Sequence, residues 1–157
     1  MDTNEITFLL SRLLSKTSVN FLGVFPSDKL PSYSITQSFA PCCYVANVDP
    51  TGKQGSHWVG FYHSCANRLD FFDSYGRDPK EFGFHFHKLI QVQSNKSELQ
   101  SLFSSFCGQY CIYFLFHRSL GLSMHNIISR FSHLSKSNSD LIVYSFINRS
   151  MQKFKKK

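Results

Sequence analysis

The apolar and polar positions of the chain predict one amphipathic helix near the start, strands in the middle and helices at the end. Asp2 and Glu5 form a capping-box pattern at the start of the first helix, over residues 3–15. Stretches that are β-branched or aromatic and end at turn residues predict strands over 19–25, 42–48, 56–63, 68–73 and 87–92. Helical spacing predicts two late helices, over 123–134 and 140–152, and the weakly patterned stretch 33–41 is expected to be a loop. This grouping of strands and helices indicates an α+β fold.

One stretch between these groups, residues 106–116, is apolar on nearly all sides and predicts a helix buried in the core. The stretch opens with Cys107 and Gly108, so a thiol lies at the N-terminal end of the predicted helix. The partial positive charge of a helix N-terminus favours the thiolate, which is the nucleophilic form of cysteine. Cys107 is therefore the candidate nucleophile, and Cys111, one turn later, is expected to be a core residue.

Composition and charge narrow the class of protein. With 157 residues and 42% hydrophobic residues, the chain predicts one globular domain over residues 1–157. The polar, acidic start, the absence of an apolar run near ~20 residues and the odd number of cysteines, five, predict an intracellular protein with free thiols and no membrane contact. The net charge of +7 and a basic tail from about residue 153 favour an anionic partner such as DNA, although a merely solubilising tail stays open. Cysteine and histidine lack zinc-site spacing, so no metal is predicted.

A nucleophilic cysteine needs a base and a group that orients the base. His57 begins one predicted strand and Asp73 ends the next, so pairing of the two strands around a turn at 66–67 brings the two side chains close together. Gln100 lies seven residues before Cys107, and its amide and the Cys107 N–H are candidate oxyanion donors. On the residues alone, the alternative is a basic nucleic-acid-binding or scaffold protein in which Cys107 is simply buried.

The order His, acid, Gln, Cys resembles that of the adenain-like cysteine peptidases, which include the adenovirus protease and its Polinton/Maverick-type relatives in the SUMO-protease-like clan. Four pieces carry the resemblance. They are a Phe-Leu-Gly segment, a strand and glycine-bearing turn before His-Trp, a strand ending in the acid, and a Gln followed by Cys-Gly, at 21–25, 46–58, 69–76 and 100–108.

The resemblance implies a papain-like fold with permuted order, in which a mixed, mainly antiparallel sheet packs against the Cys-bearing helix. It implies a monomeric endopeptidase that cuts virus- or element-encoded structural precursors in the host nucleus or the virion. Cys107 is then the nucleophile, His57 the general base and acid, Asp73 the orienting acid, Gln100 an oxyanion donor and Trp58 a wall of the substrate cleft. The sequence requires no cofactor, and DNA and an activating peptide both stay open as activators. Because SUMO-type proteases also use Asp as the acid, a protease for a ubiquitin-like modifier is the alternative.

Overall fold

A mixed five-stranded sheet lies at the centre of the structure, a computed structural model that describes residues 1–155. The strands are β1 (Asn20–Phe25), β2 (Cys42–Asn47), β3 (Trp58–Cys65), β4 (Arg68–Phe72) and β5 (Gln91–Ser94). The helices are α1 (Thr3–Leu14), α2 (Tyr33–Phe39), α3 (Cys107–Ser119), α4 (Met124–Ser129) and α5 (Lys136–Lys155). Within the described range, none of the helices is both long and apolar enough to cross a membrane. The last two lysines of the predicted basic tail lie outside the described residues.

The strands follow one another across the sheet in chain order, β1 to β5. The three central strands are antiparallel, and each edge strand runs parallel to its neighbour. The predicted hairpin is present, since β3 and β4 meet at residues 66–67 and Gly60 pairs with Phe72. The strand predicted over 87–92 begins only at Gln91 and pairs with β4.

Helix α3 packs in the main core, between one face of the sheet and the other helices. Seven of its residues are buried, which confirms the apolar pattern that predicts a core helix. Phe114 of α3 stacks on Phe72 of β4 with ring centres 4.4 Å apart. The other face of the sheet packs a second apolar cluster under the loop that leads to β5, with Phe61, Phe71 and Phe84 in edge-on or tilted contact.

Three helices differ from the sequence prediction. The helix predicted over 123–134 ends at Ser129, where α4 ends. Residues 33–39, predicted as loop, form α2, whose N-terminus is capped by the Ser32 hydroxyl. Only Thr36 of this helix is buried, so it has no apolar repeat for the sequence to reveal. Helix α5 begins at residue 136 rather than 140, and Tyr144, one of its apolar-spaced residues, is 46% exposed. The helix instead turns Asp140 inward, where the carboxylate accepts a hydrogen bond from the Tyr110 hydroxyl at 2.9 Å.

His63 is a buried side chain without a hydrogen-bond partner. It is 1% exposed, both ring nitrogens lack partners among the described residues, and its ring lies against Tyr44. Burial lowers the pKa of His63 to about 4. The folded protein therefore holds this ring neutral at a pH where the unfolded chain already binds the proton.

We expect His63 to make the protein acid-labile. Between about pH 6.5 and pH 4 the unfolded state binds a proton that the folded state does not. The free energy of unfolding therefore decreases as the pH is lowered, by about 3 kcal/mol over this range. His63→Leu should remove that slope in urea unfolding measured across this pH range. Stability at pH 8, where the ring is neutral in both states, is the internal control. Identical slopes for the two proteins would contradict the prediction.

Candidate active site

Helix α3 begins at Cys107, which places the thiol at the helix N-terminus as predicted. Gly108 allows the helix to sit close to its neighbours. A Cβ atom at this position would lie 3.2 Å from Ile6 Cδ1 and 3.3 Å from Trp58 Cδ1. The Cys-Gly pair thus has a physical reason, since a larger residue would push the thiol away from β3. Cys111 is fully buried in the core, as expected.

His57 lies between Cys107 and Asp73. Its Nε2 is 2.5 Å from Asp73 Oδ1, and its ring lies close enough to Cys107 for each of the two groups to shift the pKa of the other. His57 is 8% exposed and Asp73 is fully buried. The structure therefore brings together the three side chains that the sequence proposes as nucleophile, base and orienting acid.

The charges of these groups shift their pKa values toward an ion pair. Burial by itself opposes charge on each group, but hydrogen bonds and opposite charges outweigh it. The hydrogen bonds and charges of Asp73 and Cys107 raise the pKa of His57 above its usual value. The His57 hydrogen bond and charge, with N–H groups of Trp58 and Gly108, lower the pKa of the Cys107 thiol. Both pKa shifts therefore favour a thiolate beside an imidazolium.

Asp73 is fixed by groups that the sequence reading does not single out. Its Oδ2 accepts hydrogen bonds from the Arg77 backbone N–H at 3.0 Å and from Arg77 Nε at 2.9 Å. Asn95 is 3% exposed and forms two hydrogen bonds with the Asp73 backbone. Its Oδ1 accepts from the Asp73 N–H, and its Nδ2 donates to the Asp73 carbonyl. Gly76 closes this turn with φ +71, and a Cβ there would lie 2.8 Å from the Ser97 carbonyl carbon. The contacts of Asn95 with Asp73 and of Gly76 with Ser97 span about twenty positions, so no local sequence signal marks them, whereas the Arg77 bonds span only four.

Gln100 is buried beside the same turn, at 1% exposure. Its Oε1 accepts a hydrogen bond from Ser74 Oγ at 2.7 Å, and its Nε2 donates to the Ser104 carbonyl at 2.8 Å. The Gln100 backbone N–H also donates to the Ser74 carbonyl. Ser74, the residue that follows Asp73, therefore holds Gln100 through both its hydroxyl and its carbonyl. The amide keeps a second N–H, and Cys107 N–H has no partner within the helix because it belongs to the first turn.

Trp58 lies at one side of the thiol, over Gly108. Its indole N–H donates to the Met1 carbonyl at 3.3 Å, which holds the ring in place. Trp58 and Met1 line a surface groove of about 430 Å³ together with Phe25 and the glycine-bearing loop 52–55. The groove begins at the position that the sequence assigns to the wall of a substrate cleft.

Comparison with solved structures places this arrangement in a known fold. Over 94% of the chain, the structure is similar to the ASFV pS273R protease, with a TM-score of 0.65 and 16% identity. It is also similar over its full length to the central domain of the uncharacterized Lpg1148 protein from Legionella pneumophila, with a TM-score of 0.60 and 16% identity. The chain spans 66% of the length of the first protein and 98% of the second. No family model matches the sequence, and no curated protein matches it.

The structural matches define the class of fold. The chain has the α+β fold that is also seen in the ASFV pS273R protease, with a mixed sheet packed against the helix that carries Cys107. The fold class predicted from the sequence is therefore confirmed.

Proposed function

We propose that this protein is a cysteine endopeptidase that works through Cys107, His57 and Asp73. One observation carries the proposal: a thiol at a helix N-terminus lies beside an imidazole whose Nε2 is 2.5 Å from a fully buried carboxylate. Papain-like chemistry needs these three groups in this order. The fold shared with a protease supports the same conclusion.

Acylation is the first half of the proposed reaction. The Cys107 thiolate attacks the scissile carbonyl carbon, and the carbonyl π electrons move to oxygen. The resulting oxyanion is held by the Cys107 N–H and the free N–H of the Gln100 amide. As the C–N bond breaks, the His57 imidazolium gives its proton to the leaving amine, and a thioester remains on Cys107.

Deacylation reverses these roles. The neutral His57 ring takes a proton from water, and the hydroxide formed attacks the thioester carbonyl. Collapse of this intermediate releases the carboxylic acid product and the Cys107 thiolate beside the imidazolium. Asp73 keeps the proton on Nε2 throughout, so that Nδ1 faces the sulfur in both halves.

The substrates we propose are virus- or element-encoded structural precursors, as in the adenain-like group that the sequence resembles. That assignment rests on the four motif pieces and on the surface groove that Trp58 lines. Action as a monomer in the host nucleus or the virion, and activation by DNA or by a peptide, belong to the same proposal. The net charge of +7 supports DNA as the activator.

Labelling with a peptide electrophile tests the proposed function. A short peptide vinyl sulfone should modify Cys107 alone among the five cysteines, at a pH well below the usual thiol pKa of about 8.5. Cys65, the one exposed thiol among the cysteines, is the internal comparison, and peptide mapping by mass spectrometry reads both sites. Modification of Cys65 with an intact Cys107 would overturn the proposal. It would favour the reading in which the protein only binds nucleic acid or acts as a scaffold.

The same assay separates the two protease readings. A modifier-deconjugating enzyme should react with a ubiquitin-like protein that carries an electrophile after its Gly-Gly end far faster than with a short peptide. We expect no such preference. A preference of 100-fold or more for the modifier probe would replace the maturation-protease proposal with the deconjugating alternative.

A further inference from the structure

Arg77 holds the side of Asp73 that faces away from His57. The Asp73 carboxylate is fully buried, and its Oδ1 is used by the imidazole. Its Oδ2 accepts two hydrogen bonds, and both come from Arg77, one from the backbone N–H and one from Nε of the guanidinium. Arg77 therefore orients this carboxylate on one side, and His57 hydrogen-bonds it on the other.

The Arg77 side chain is itself held in place. Its guanidinium lies over the Tyr75 ring at 5.1 Å and over the Phe82 ring at 4.6 Å. The same two rings flank His57, at 5.4 Å and 6.0 Å between ring centres. Stacking on aromatic faces and a directional bond to a carboxylate are what a planar guanidinium provides and a lysine does not. The side chain is 39% exposed, so its charge remains partly hydrated.

Arg77 also completes a row of alternating charge. Arg77, Asp73, His57 and Cys107 stand in sequence as cation, anion, cation and anion, and the neutral phenol of Tyr75 is the other titratable group beside the imidazole. A positive charge behind Asp73 offsets part of the negative potential that the carboxylate exerts on the imidazolium. The same charge helps to keep the buried carboxylate ionised, and the Arg77 hydrogen bonds contribute to the lowered pKa of Asp73.

We propose that Arg77 is a positioning residue of the active site. It orients the Asp73 carboxylate toward His57, and its positive charge reduces the negative potential that Asp73 exerts on the imidazolium. The catalytic consequence rests on the proposed function, because it acts through the Cys107–His57 pair.

Arg77→Gln removes the charge and the guanidinium bond but leaves the backbone N–H on Oδ2. With less positive charge nearby, His57 should keep its proton to a higher pH. We expect the alkaline limb of the kcat/KM profile to move up by about half a pH unit, a modest value because the guanidinium is partly exposed. The looser carboxylate should lower kcat about 10-fold with little change in KM.

Three variants make the comparison specific. Arg77→Lys restores the charge without the planar fork, so the alkaline limb should return to the wild-type position while kcat recovers only in part. Arg77→Met keeps the stem on the two rings and repeats the charge removal if Arg77→Gln does not fold. Arg118→Gln is the matched control, because Arg118 also bonds a carboxylate through Nε, that of Asp70 at 2.7 Å, and lies over a ring, that of Tyr62 at 4.4 Å. It lies eleven residues after Cys107 along α3, about 16 Å by helical rise.

Two readouts separate this inference from the proposed function. The first is the pH dependence of kcat/KM, and the second is the pH dependence of Cys107 alkylation by iodoacetamide in a Cys65→Ser background. A limb shifted in Arg77→Gln and Arg77→Met, restored in Arg77→Lys and unmoved in Arg118→Gln supports the inference. An unmoved limb in the charge-removing variants, with a reactive wild-type Cys107, overturns the role of Arg77 and leaves the protease intact. An unreactive wild-type Cys107 overturns both.

Discussion

Replacing Cys107 by alanine should remove peptide hydrolysis, with a loss in kcat/KM of about 10⁴-fold or more. No other group in the site can form the thioester, because the oxyanion donors and His57 only assist the attack. The measurement is cleavage of a fluorogenic peptide that the wild-type protein cuts. His57→Ala should be nearly as severe, since the thiol then loses the partner that holds it as thiolate.

Cys65→Ala is the matched control for Cys107→Ala. It removes an exposed thiol from the end of β3 and should change neither the rate nor the thermal midpoint. Circular dichroism and thermal unfolding of Cys107→Ala should match the wild-type protein. Retention of more than about 1% of the activity in a folded Cys107→Ala protein would show that another group is the nucleophile.

Asp73→Asn should be the second most damaging change, with a loss in kcat/KM of about 10²- to 10⁴-fold. Arg77 explains why an amide fails here. Its two N–H donors on Oδ2 require an acceptor, so the asparagine oxygen takes that position and the NH₂ group faces His57 Nε2. The neutral imidazole must then carry its proton on Nδ1, so that nitrogen can no longer accept a proton from the thiol or from water. Steady-state kinetics at the pH optimum measures the effect.

The control for Asp73→Asn comes from the same stretch of chain. Asp70 of β4 forms an ion pair with Arg118, and both side chains are 13% exposed. Asp70→Asn should lower the free energy of unfolding by about 1–3 kcal/mol and leave the rate unchanged. If Asp73→Asn were destabilised like Asp70→Asn but kept full activity, Asp73 would be a structural residue and the triad would be wrong.

The residues that local chemistry marks were within reach of the sequence. Cys107 stands out because a thiol followed by glycine opens a stretch that is apolar on all sides. His57 and Asp73 stand out because each lies at the end of a strand of one hairpin, and strand ends of a hairpin meet. The periodicity of α1 and its capping box are equally local, and the structure confirms them.

Other features depend on contacts between distant loops. Asn95 fixes Asp73, and Ser74 fixes Gln100, only because the turn after β4 packs against the segment after β5, whereas Arg77 reaches Asp73 within that turn. Helix α2 is hidden in the same way, because it forms with only Thr36 buried and so carries no apolar stripe. The buried face of α5 contains Val143 and Ile147 but also Asp140, which accepts the Tyr110 hydrogen bond, and apolar periodicity does not mark an inward aspartate.

The α+β class, the buried helix and the thiol at its N-terminus follow from the order of the residues alone, because apolar periodicity and helix-end chemistry act within a few residues. The partners of that thiol are brought to it by contacts between distant parts of the chain. The pairing of β3 with β4 brings His57 to Asp73, and the packing of α3 against β3 brings Cys107 to His57. Asn95, from the segment after β5, then holds the Asp73 backbone. Hydrogen-bond geometry requires atoms placed to within a few tenths of an ångström, and long-range packing sets atom positions on that scale.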